Sequence, residues 1–307
     1  MRAAVVDIGT NSTRLLIADV SRDSSEVVQL ERRSTVTRLG DGVDSTGTLS
    51  QQAMQRVLTT LIDYCGTIAQ YGCDANIALM TSAVRDASNG SSFTSEVKQL
   101  GLDAVVLSGD EEAELMFLGA MSDRPDSAAR TVVIDIGGGS TEFVIGFDRR
   151  ATFHRSVQAG VVRMSERHIH SDPPAEEEVD ALSEDVLETF SAALPPQRRE
   201  DVSAGIAVAG TATSAAAIAL DLEPYDPNVV HGFVLSLPTI ESLLARLSQL
   251  SERERRAVRG LHPDRAPTIV AGMVLLREAL RIFSLDEVEV SEHDILRGGA
   301  LRLAGVA

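Results

Sequence analysis

The sequence has few cysteines, few aromatic residues and no long apolar run. Its two cysteines, Cys65 and Cys73, form no metal or redox motif, as is usual for a protein in a reducing cytosol. No run of about 18 apolar residues is present, which excludes a transmembrane helix. The acid Asp7 interrupts the first apolar stretch and argues against a secretory signal peptide. These absences predict a cytoplasmic protein that does not associate with membranes.

Several common catalytic motifs are also missing. There is no Walker A sequence and no G-x-S-x-G elbow, and a strand pattern rather than a helix follows Gly137-Gly138-Gly139, so it is not a dinucleotide fingerprint. His293-Asp294 is an isolated pair without the further ligands that an HD-type metal hydrolase needs. The basic run from Arg253 to Arg259 is interpreted as a solvated helix face, with part of a polyanion track as the less favoured alternative.

The formal net charge of −17 opposes binding to other polyanions. It predicts no nucleic-acid partner and no acidic membrane partner. It would repel polyphosphate as well, so a protein of this charge that binds polyphosphate needs basic residues concentrated around its site.

An internal repeat organises the chain. The segment Val5–Ile17 recurs as Val133–Ile145, at an offset of 128 residues (135 − 7). Each copy predicts a strand that ends at an acid, a glycine turn, and a second strand that opens with Ser and Thr. Such a turn exposes backbone N–H groups and hydroxyls that can bind phosphate. An ordinary β-hairpin is the alternative for either copy alone, but the same acid in both copies argues against it.

Strand and helix patterns alternate along the rest of the chain, which predicts an α/β fold with mixed sheets flanked by helices. The polar, proline-containing stretch 121–130 is the predicted linker. Helices are predicted near 50–71, 109–121 and 264–283, and a last one near 294–304.

Three further places are candidates for chemistry. Ser108 and Glu111 fit a helix capping box, which leaves Glu112 as a candidate base on the same helix. Arg85 stands in a predicted first helical turn, where a bidentate phosphate contact is one explanation and a solvated side chain the other. Gly210 precedes hydroxyls that open an Ala-rich helix, which predicts either an anion site or an N-capped core helix.

In this order, the motifs resemble the exopolyphosphatase / guanosine pentaphosphate phosphohydrolase family of the actin-like superfamily. The matching segments are Asp7–Arg14, Thr81–Asp86, Ser108–Leu115, Val133–Glu142, Gly210–Thr213 and Val290–Gly298. The ending Val-Ser-Glu-His-Asp-Ile-Leu is similar to the short actinobacterial branch, which lacks a C-terminal HD-type domain.

The resemblance implies two actin-like (ribonuclease H-like) domains, 1–124 and 125–307, with the active-site cleft between them and the last helix packing back on the first domain. It also implies that the enzyme hydrolyses the terminal phosphate of inorganic polyphosphate, and that a homodimer is expected. Glu112 aligns with the general base that activates water. Asp135 and Glu142 match the acids around a divalent metal, Mg²⁺ with Mn²⁺ as the alternative, and Asp7 is a further candidate ligand. The implied phosphate-binding residues are Asn11, Ser12, Arg85, Gly137, Gly138, Ser140, Thr141, Gly210 and Thr211.

Two positions depart from the family pattern. Thr10 stands where many members have Ser, so the hydroxyl is retained. Ala209 stands where a second glycine usually precedes Gly210, and its methyl group narrows the backbone conformations open to that loop.

The substrate remains open at this point. Guanosine pentaphosphate and nucleoside triphosphates are alternatives within the same chemistry, although eight Phe, three Tyr and no Trp leave few platforms for purine stacking. An actin-like nucleotide switch or filament protein is the alternative of a different class, and a binding module without turnover is a third. The complete set of acids favours the hydrolase.

Overall fold

The computed structural model describes residues 1–125 and 129–306, without the side chains of residues 44 and 45. Contacts divide the chain into two units, Met1–Pro125 with His293–Ala307, and Asp126–Glu292. The last helix therefore belongs to the first unit. Residues 126–128 of the predicted linker lie outside the described residues.

A five-stranded mixed sheet forms the centre of the first unit. Its strands are β1 (Arg2–Ile8), β2 (Ser12–Val20), β3 (Val27–Val36), β4 (Ala75–Met80) and β5 (Ala104–Val106). The spatial order is β3-β2-β1-β4-β5. The first three strands form an antiparallel meander, whereas β4 and β5 run parallel to β1.

Helices cover both faces of this sheet because its strands alternate apolar side chains between two cores. The helices are α1 (Val43–Thr46), α2 (Gln51–Tyr71), α3 (Ser82–Asp86), α4 (Gly90–Gln99), α5 (Gly109–Met121) and, after the second unit, α14 (Ile295–Leu303). Helices α5 and α14 cross very closely. A Cβ added to Gly298 would lie 1.9 Å from the carbonyl oxygen of Leu115, so only glycine fits there.

The second unit contains a six-stranded mixed sheet. Its strands are β6 (Arg130–Ile136), β7 (Thr141–Phe147), β8 (Arg150–Val157), β9 (Val202–Val208), β10 (Val234–Ser236) and β11 (Glu287–Val290). The order is β10-β11-β9-β6-β7-β8, which places β8 at one edge. The helices are α6 (Val161–His168), α7 (Glu176–Ala193), α8 (Pro196–Arg199), α9 (Ala209–Ala219), α10 (Pro227–Val230), α11 (Leu237–Ser248), α12 (Glu252–Arg255) and α13 (Ile269–Ile282), with a 3₁₀ turn at Pro263–Arg265.

The internal repeat of the sequence is a repeat of topology. In each unit three consecutive strands form an antiparallel meander, and the next strand in the chain, β4 or β9, pairs parallel with the first strand of that meander. The predicted α/β class, with two mixed sheets flanked by helices, is confirmed. Among the described residues, no helix combines the length and the apolar character needed to cross a membrane.

Candidate active site

The turn between β1 and β2 exposes backbone donors. Gly9 N–H donates to the carbonyl of Ser12 (3.0 Å) and closes the turn, while the carbonyl of Asn11 accepts from Thr37 N–H (3.0 Å). Within residues 1–125 and 129–306, the N–H groups of Thr10 and Asn11 have no hydrogen-bond acceptor. The turn therefore offers donors to an anion, and phosphate binding by Asn11 and Ser12 stays a prediction.

The turn between β6 and β7 has the same construction 128 residues later (137 − 9). Gly137 N–H donates to the carbonyl of Ser140 (2.9 Å), and the first turn of α6 donates to the carbonyls of Gly137 and Gly138. In the described part of the chain, the N–H groups of Gly138, Gly139 and Ser140 have no acceptor. Three consecutive free donors make this turn the stronger candidate for anion binding of the two.

Close packing behind the second turn fixes its shape. A Cβ on Gly160 would lie 2.4 Å from the carbonyl oxygen of Gly138, so glycine is required where α6 begins. Thr141 is buried, and its hydroxyl donates to the carbonyl of Ala159 (2.6 Å). The Thr141 side chain thus holds the strand in place, and the proposed phosphate contacts fall to the turn itself.

Two carboxylates stand beside the second turn. Asp135 and Glu142 are direct partners across β6 and β7, a position that brings side chains to within about 5 Å of each other. Glu142 Oε1 accepts hydrogen bonds from the hydroxyls of Ser140 (2.6 Å) and Ser156 (2.9 Å). These contacts orient Glu142 and raise the local density of oxygen ligands, which suits a hard divalent cation.

The first hairpin has the same acid, but the residue opposite it is basic instead of acidic. Arg14 takes the position of Glu142 in the repeat, and its Nε and Nη2 both donate to Asp7 Oδ2 (2.9 and 2.7 Å). Burial raises the pKa of Asp7, and Arg14 opposes that shift. Asp7 is already paired with the Arg14 guanidinium, which makes it a weaker candidate for a metal ligand.

Arg14 also belongs to a buried network that the sequence analysis did not identify. Its Nη1 lies 2.5 Å from Asp294 Oδ2, which also accepts from Arg32 (3.1 Å). Asp294 is the N-cap of α14, where its Oδ1 accepts from Leu296 N–H (3.0 Å). The network ties the first hairpin to the start of the last helix.

Helix α5 presents Glu112 as the sequence predicts. Ser108 and Glu111 form the expected capping box. Arg85 Nη1 donates to Glu112 Oε2 (3.1 Å) and to the carbonyl of Leu107 (3.0 Å). The Arg85 guanidinium orients the Glu112 carboxylate. The Glu112 side chain is 19% exposed, so the carboxylate is still accessible to water. The structure thus brings the predicted base and the predicted phosphate-binding arginine together.

Gly210 stands at the start of α9, beneath an arginine. A Cβ at Gly210 would lie 1.6 Å from Arg265 Nη1, so the absence of a side chain is what admits the guanidinium. Thr211 is buried, and its hydroxyl donates to the carbonyl of Ile136 (3.4 Å), which links α9 to the end of β6. Arg265 is a cation at this loop that the sequence analysis did not single out.

The interpretation of the basic run as a solvated face is wrong for Arg255. Its side chain is buried, and it donates to the carbonyls of Ala266 (3.0 Å) and Leu250 (2.6 Å). Burial lowers the pKa of Arg255. Arg255 therefore anchors the segment that carries Arg265.

Ala209 adopts a backbone conformation that favours glycine, with φ at +61°. We expect Ala209→Gly to raise the free energy of unfolding by about 1 kcal/mol, because the left-handed conformation costs an L-residue about 1–2 kcal/mol and the flexibility of glycine offsets part of the gain. Urea denaturation measures the change.

Ala212→Gly is the matched control, since this residue lies inside α9 and is buried. The same substitution there should lower stability by about 1 kcal/mol or more. Equal losses in both variants would contradict the argument from backbone strain at Ala209.

Comparison with known proteins decides the family. The model of the Ppx/GppA phosphatase family matches residues 16–302. The chain belongs to the Ppx/GppA phosphatase family. Its predicted resemblance is confirmed, and this Ppx/GppA phosphatase is a hydrolase. It is 37% identical to Exopolyphosphatase 2 of Mycobacterium tuberculosis, over 99% of each chain.

Solved structures agree with this assignment. This Ppx/GppA phosphatase superposes on an exopolyphosphatase-like protein with a TM-score of 0.87 and 35% identity, over 98% of this chain and 97% of the other. The Aquifex aeolicus member of the Ppx/GppA family gives a TM-score of 0.86 at 30% identity, over 99% and 97% of the two chains. The predicted actin-like fold is thereby confirmed.

Proposed function

We propose that this phosphatase removes the terminal phosphate of inorganic polyphosphate by hydrolysis. The observation that carries the proposal is the β6–β7 hairpin, where the free N–H groups of the turn stand beside Asp135 and Glu142. Donors alone would bind any anion. Donors beside two carboxylates suit phosphate together with a divalent metal, because the N–H groups can bind phosphate oxygens and the carboxylates can bind the metal.

The donor set fits Mg²⁺, with Mn²⁺ as the alternative. Mg²⁺ is commonly held by one or two carboxylates together with substrate phosphates, and Asp135 and Glu142 supply the carboxylates. When bound, the ion offsets the negative charge of the phosphate under attack.

The chain's own residues divide the remaining work of the reaction. Each unit offers its own phosphate-binding groups. The first has the turn at Gly9–Ser12 and Arg85, and the second has the turn at Gly137–Ser140 and Arg265. Glu112 accepts a proton from a water molecule while the oxygen of that water forms a bond to the terminal phosphorus. The bond from that phosphorus to the bridging oxygen breaks, which releases phosphate and a chain shorter by one unit.

The scarcity of exposed aromatic rings favours polyphosphate over guanosine pentaphosphate. Among the described residues, Phe147 and Tyr225 are the aromatic side chains in the exposed class. Phe147 ends β7, six residues and about 20 Å from the start of that strand at the turn. The Tyr225 hydroxyl is bonded to Glu292. A purine would need a ring to stack on, whereas a polyphosphate chain needs only charge and N–H donors.

Phosphate release from the purified protein tests the proposal. With Mg²⁺, we expect release from long-chain polyphosphate to exceed release from guanosine pentaphosphate and ATP, and to stop when EDTA removes the metal. Faster turnover of either nucleotide would replace the proposed substrate. Binding of ATP with filament formation and no release would support an actin-like switch instead.

The predicted homodimer and cytoplasmic location stay predictions. Sedimentation at micromolar concentration checks the first, and fractionation of cells checks the second.

A further inference from the structure

The β6–β7 turn is bound from one side by the segment that begins α6. The carbonyls of Gly137 and Gly138 each accept a hydrogen bond at 2.9 Å from a backbone N–H group in the first turn of that helix. The third carbonyl, that of Gly139, accepts from a side chain, because Arg163 Nε lies 3.0 Å away. Helix α6 therefore holds three consecutive carbonyl groups of the turn.

These contacts determine where the N–H groups of the turn point. The peptides of the turn are trans, so the carbonyl of one residue and the N–H of the next lie on opposite edges of one rigid plane. Binding of the three carbonyls by α6 therefore directs the N–H groups of Gly138, Gly139 and Ser140 away from the helix. These are the same N–H groups that have no acceptor in the described part of the chain.

Arg163 holds the peptide between Gly139 and Ser140. Its Nη2 donates to Gln158 Oε1 (3.2 Å), which fixes the guanidinium at its far end. A Cβ on Gly139 would lie 3.8 Å from the same Nη2, so the guanidinium packs directly against the turn. The direction of the Ser140 N–H thus depends on a half-buried side chain that is held in place at two points.

The position of Arg163 within its helix calls for an explanation. It is the third residue of α6, where the positive end of the helix dipole disfavours a cation. The other basic residues of this helix, Arg167 and His168, lie in its last turn, where the dipole favours them. The hydrogen bond to the Gly139 carbonyl gives a reason for the exception.

The first unit holds its turn in a similar way. The carbonyl of Thr10 accepts from Gly40 N–H (2.8 Å), and that of Asn11 accepts from the N–H groups of Thr37 (3.0 Å) and Arg38 (2.8 Å). These donors follow β3, the third strand of the first meander, just as α6 follows β8, the third strand of the second. Both units therefore bind the carbonyls of the turn with the segment that comes after the meander.

We propose that Arg163 is a positioning residue for the phosphatase reaction. Acting through the Gly139 carbonyl, it directs the Ser140 N–H at an oxygen of the phosphate bound in the β6–β7 turn. The donor at Nε performs this role, and the charge of the guanidinium is secondary. The proposal rests on the proposed function, because it assumes that phosphate binds at this turn.

Three variants at this one position separate the hydrogen bond from the charge. In Arg163→Gln the amide nitrogen is as many bonds from Cα as the arginine Nε, so the donor is kept and the charge is removed. Arg163→Met has the same length and no donor, whereas Arg163→Lys keeps the charge and moves the donor one bond further out. With polyphosphate and Mg²⁺, we expect kcat/KM to fall about tenfold in Arg163→Met, the usual effect of one lost hydrogen bond. It should stay within about threefold of wild type in Arg163→Gln and fall between the two in Arg163→Lys.

Inorganic phosphate measures the same effect without turnover. Its Kd in the presence of Mg²⁺, determined by calorimetry, should rise about tenfold in Arg163→Met and change little in Arg163→Gln. A direct charge contact with phosphate predicts another order, with Arg163→Lys close to wild type and Arg163→Gln as impaired as Arg163→Met. That order would overturn the positioning role.

Arg167→Met is the matched control on the same helix. The Arg167 side chain is 50% exposed and pairs with Asp185 (2.9 Å), so its loss should cost little stability. We expect wild-type kcat/KM in this control. Equal losses in Arg163→Met and Arg167→Met would overturn the proposal, and so would losses among the Arg163 variants that follow their urea midpoints and not the presence of the donor. If Arg163→Met does not fold, the Gln and Lys variants still give the contrast between donor and charge.

The positioning role and the proposed function fail in different ways. If polyphosphate is cleaved and all three Arg163 variants match wild type, the positioning role is wrong and the proposed function stands. If wild-type protein binds phosphate more tightly than Arg163→Met but cleaves no polyphosphate, the proposed substrate is wrong and the role of Arg163 at the turn stands. If wild-type protein neither binds phosphate nor cleaves polyphosphate, both proposals fail.

Discussion

Glu112→Gln is expected to lower the rate of phosphate release about 10²–10⁴-fold, which is the usual contribution of a general base. Glutamine keeps the size and an oxygen acceptor for the Arg85 guanidinium, which lies 3.1 Å from the present carboxylate. It cannot accept a proton from water. The loss should therefore appear in kcat, measured as initial phosphate release at saturating polyphosphate and Mg²⁺.

The neighbouring acid provides a matched control. Glu111 lies in the same first turn of α5, and its Oε2 accepts from the N–H (3.0 Å) and hydroxyl (2.9 Å) of Ser108. These hydrogen bonds, the backbone one first, lower the pKa of Glu111. Glu111→Gln should weaken the helix cap slightly and leave kcat within about twofold of wild type, since a cap contributes about 1 kcal/mol to stability and nothing to proton transfer.

The opposite pattern would remove Glu112 from its proposed role. If Glu111→Gln abolished turnover and Glu112→Gln did not, the base would be the capping residue. If both variants turned over at wild-type rate with unchanged unfolding midpoints, proton abstraction would lie elsewhere in the chain.

The sequence predicts a residue's structural role best where that role depends on its neighbours in the chain. The repeat places a turn after each strand-ending acid, and both turns close through the same bond, from Gly9 to Ser12 and from Gly137 to Ser140. The capping box at Ser108 is equally local. In these cases neighbours in the chain determine the structure, and a pattern within a few residues contains the information.

Sequence reasoning was weaker where distant segments meet. Arg265 reaches Gly210 across 55 residues (265 − 210), and only the missing side chain at Gly210 hinted that something lies above it. Arg163 donates to the carbonyl of Gly139 (3.0 Å) and was not singled out either. A single arginine has no pattern, so its partner becomes evident only when the chain is folded.

The two repeat copies differ at one position that separates their chemistry. Position 14 is Arg and position 142 is Glu, although the strands around them match. This one difference makes the first hairpin a neutral ion pair and the second a pair of carboxylates. That contrast favours Asp135 and Glu142 as the proposed metal ligands, whereas the acid common to both copies points equally to Asp7 and Asp135.

Asp294→Ala should produce the largest loss of stability, about 3–5 kcal/mol, because removing one partner of a buried ion pair leaves the other charge uncompensated. The Asp294 side chain is 3% exposed and contacts Arg14 and Arg32. Its substitution also removes the N-cap of α14, whose backbone approaches α5 so closely that a Cβ on Gly119 would lie 1.9 Å from the Asp294 carbonyl oxygen.

The Asp294→Asn variant separates charge from capping. The amide oxygen can still accept from Leu296 N–H, so we expect a loss smaller than that of alanine. Burial tends to raise the pKa of Asp294, but Arg14, Arg32 and the Leu296 N–H together lower it. A lowered folded-state pKa stabilises the fold above the unfolded value of about 3.9, and this contribution is lost as pH falls. The difference between wild type and Asp294→Asn should therefore narrow below about pH 4.

An exposed ion pair provides the control for the predicted loss of stability in Asp294→Ala. Asp19 binds Arg2 (2.9 Å) with side chains 44% and 37% exposed, so water replaces either partner at little cost. Asp19→Ala should shift the urea midpoint far less than Asp294→Ala. If the two shifts were equal, burial would not be what makes the Arg14 network strong. The network would then be only one of many surface ion pairs, and the attachment of the first hairpin to α14 would have to come from apolar packing alone.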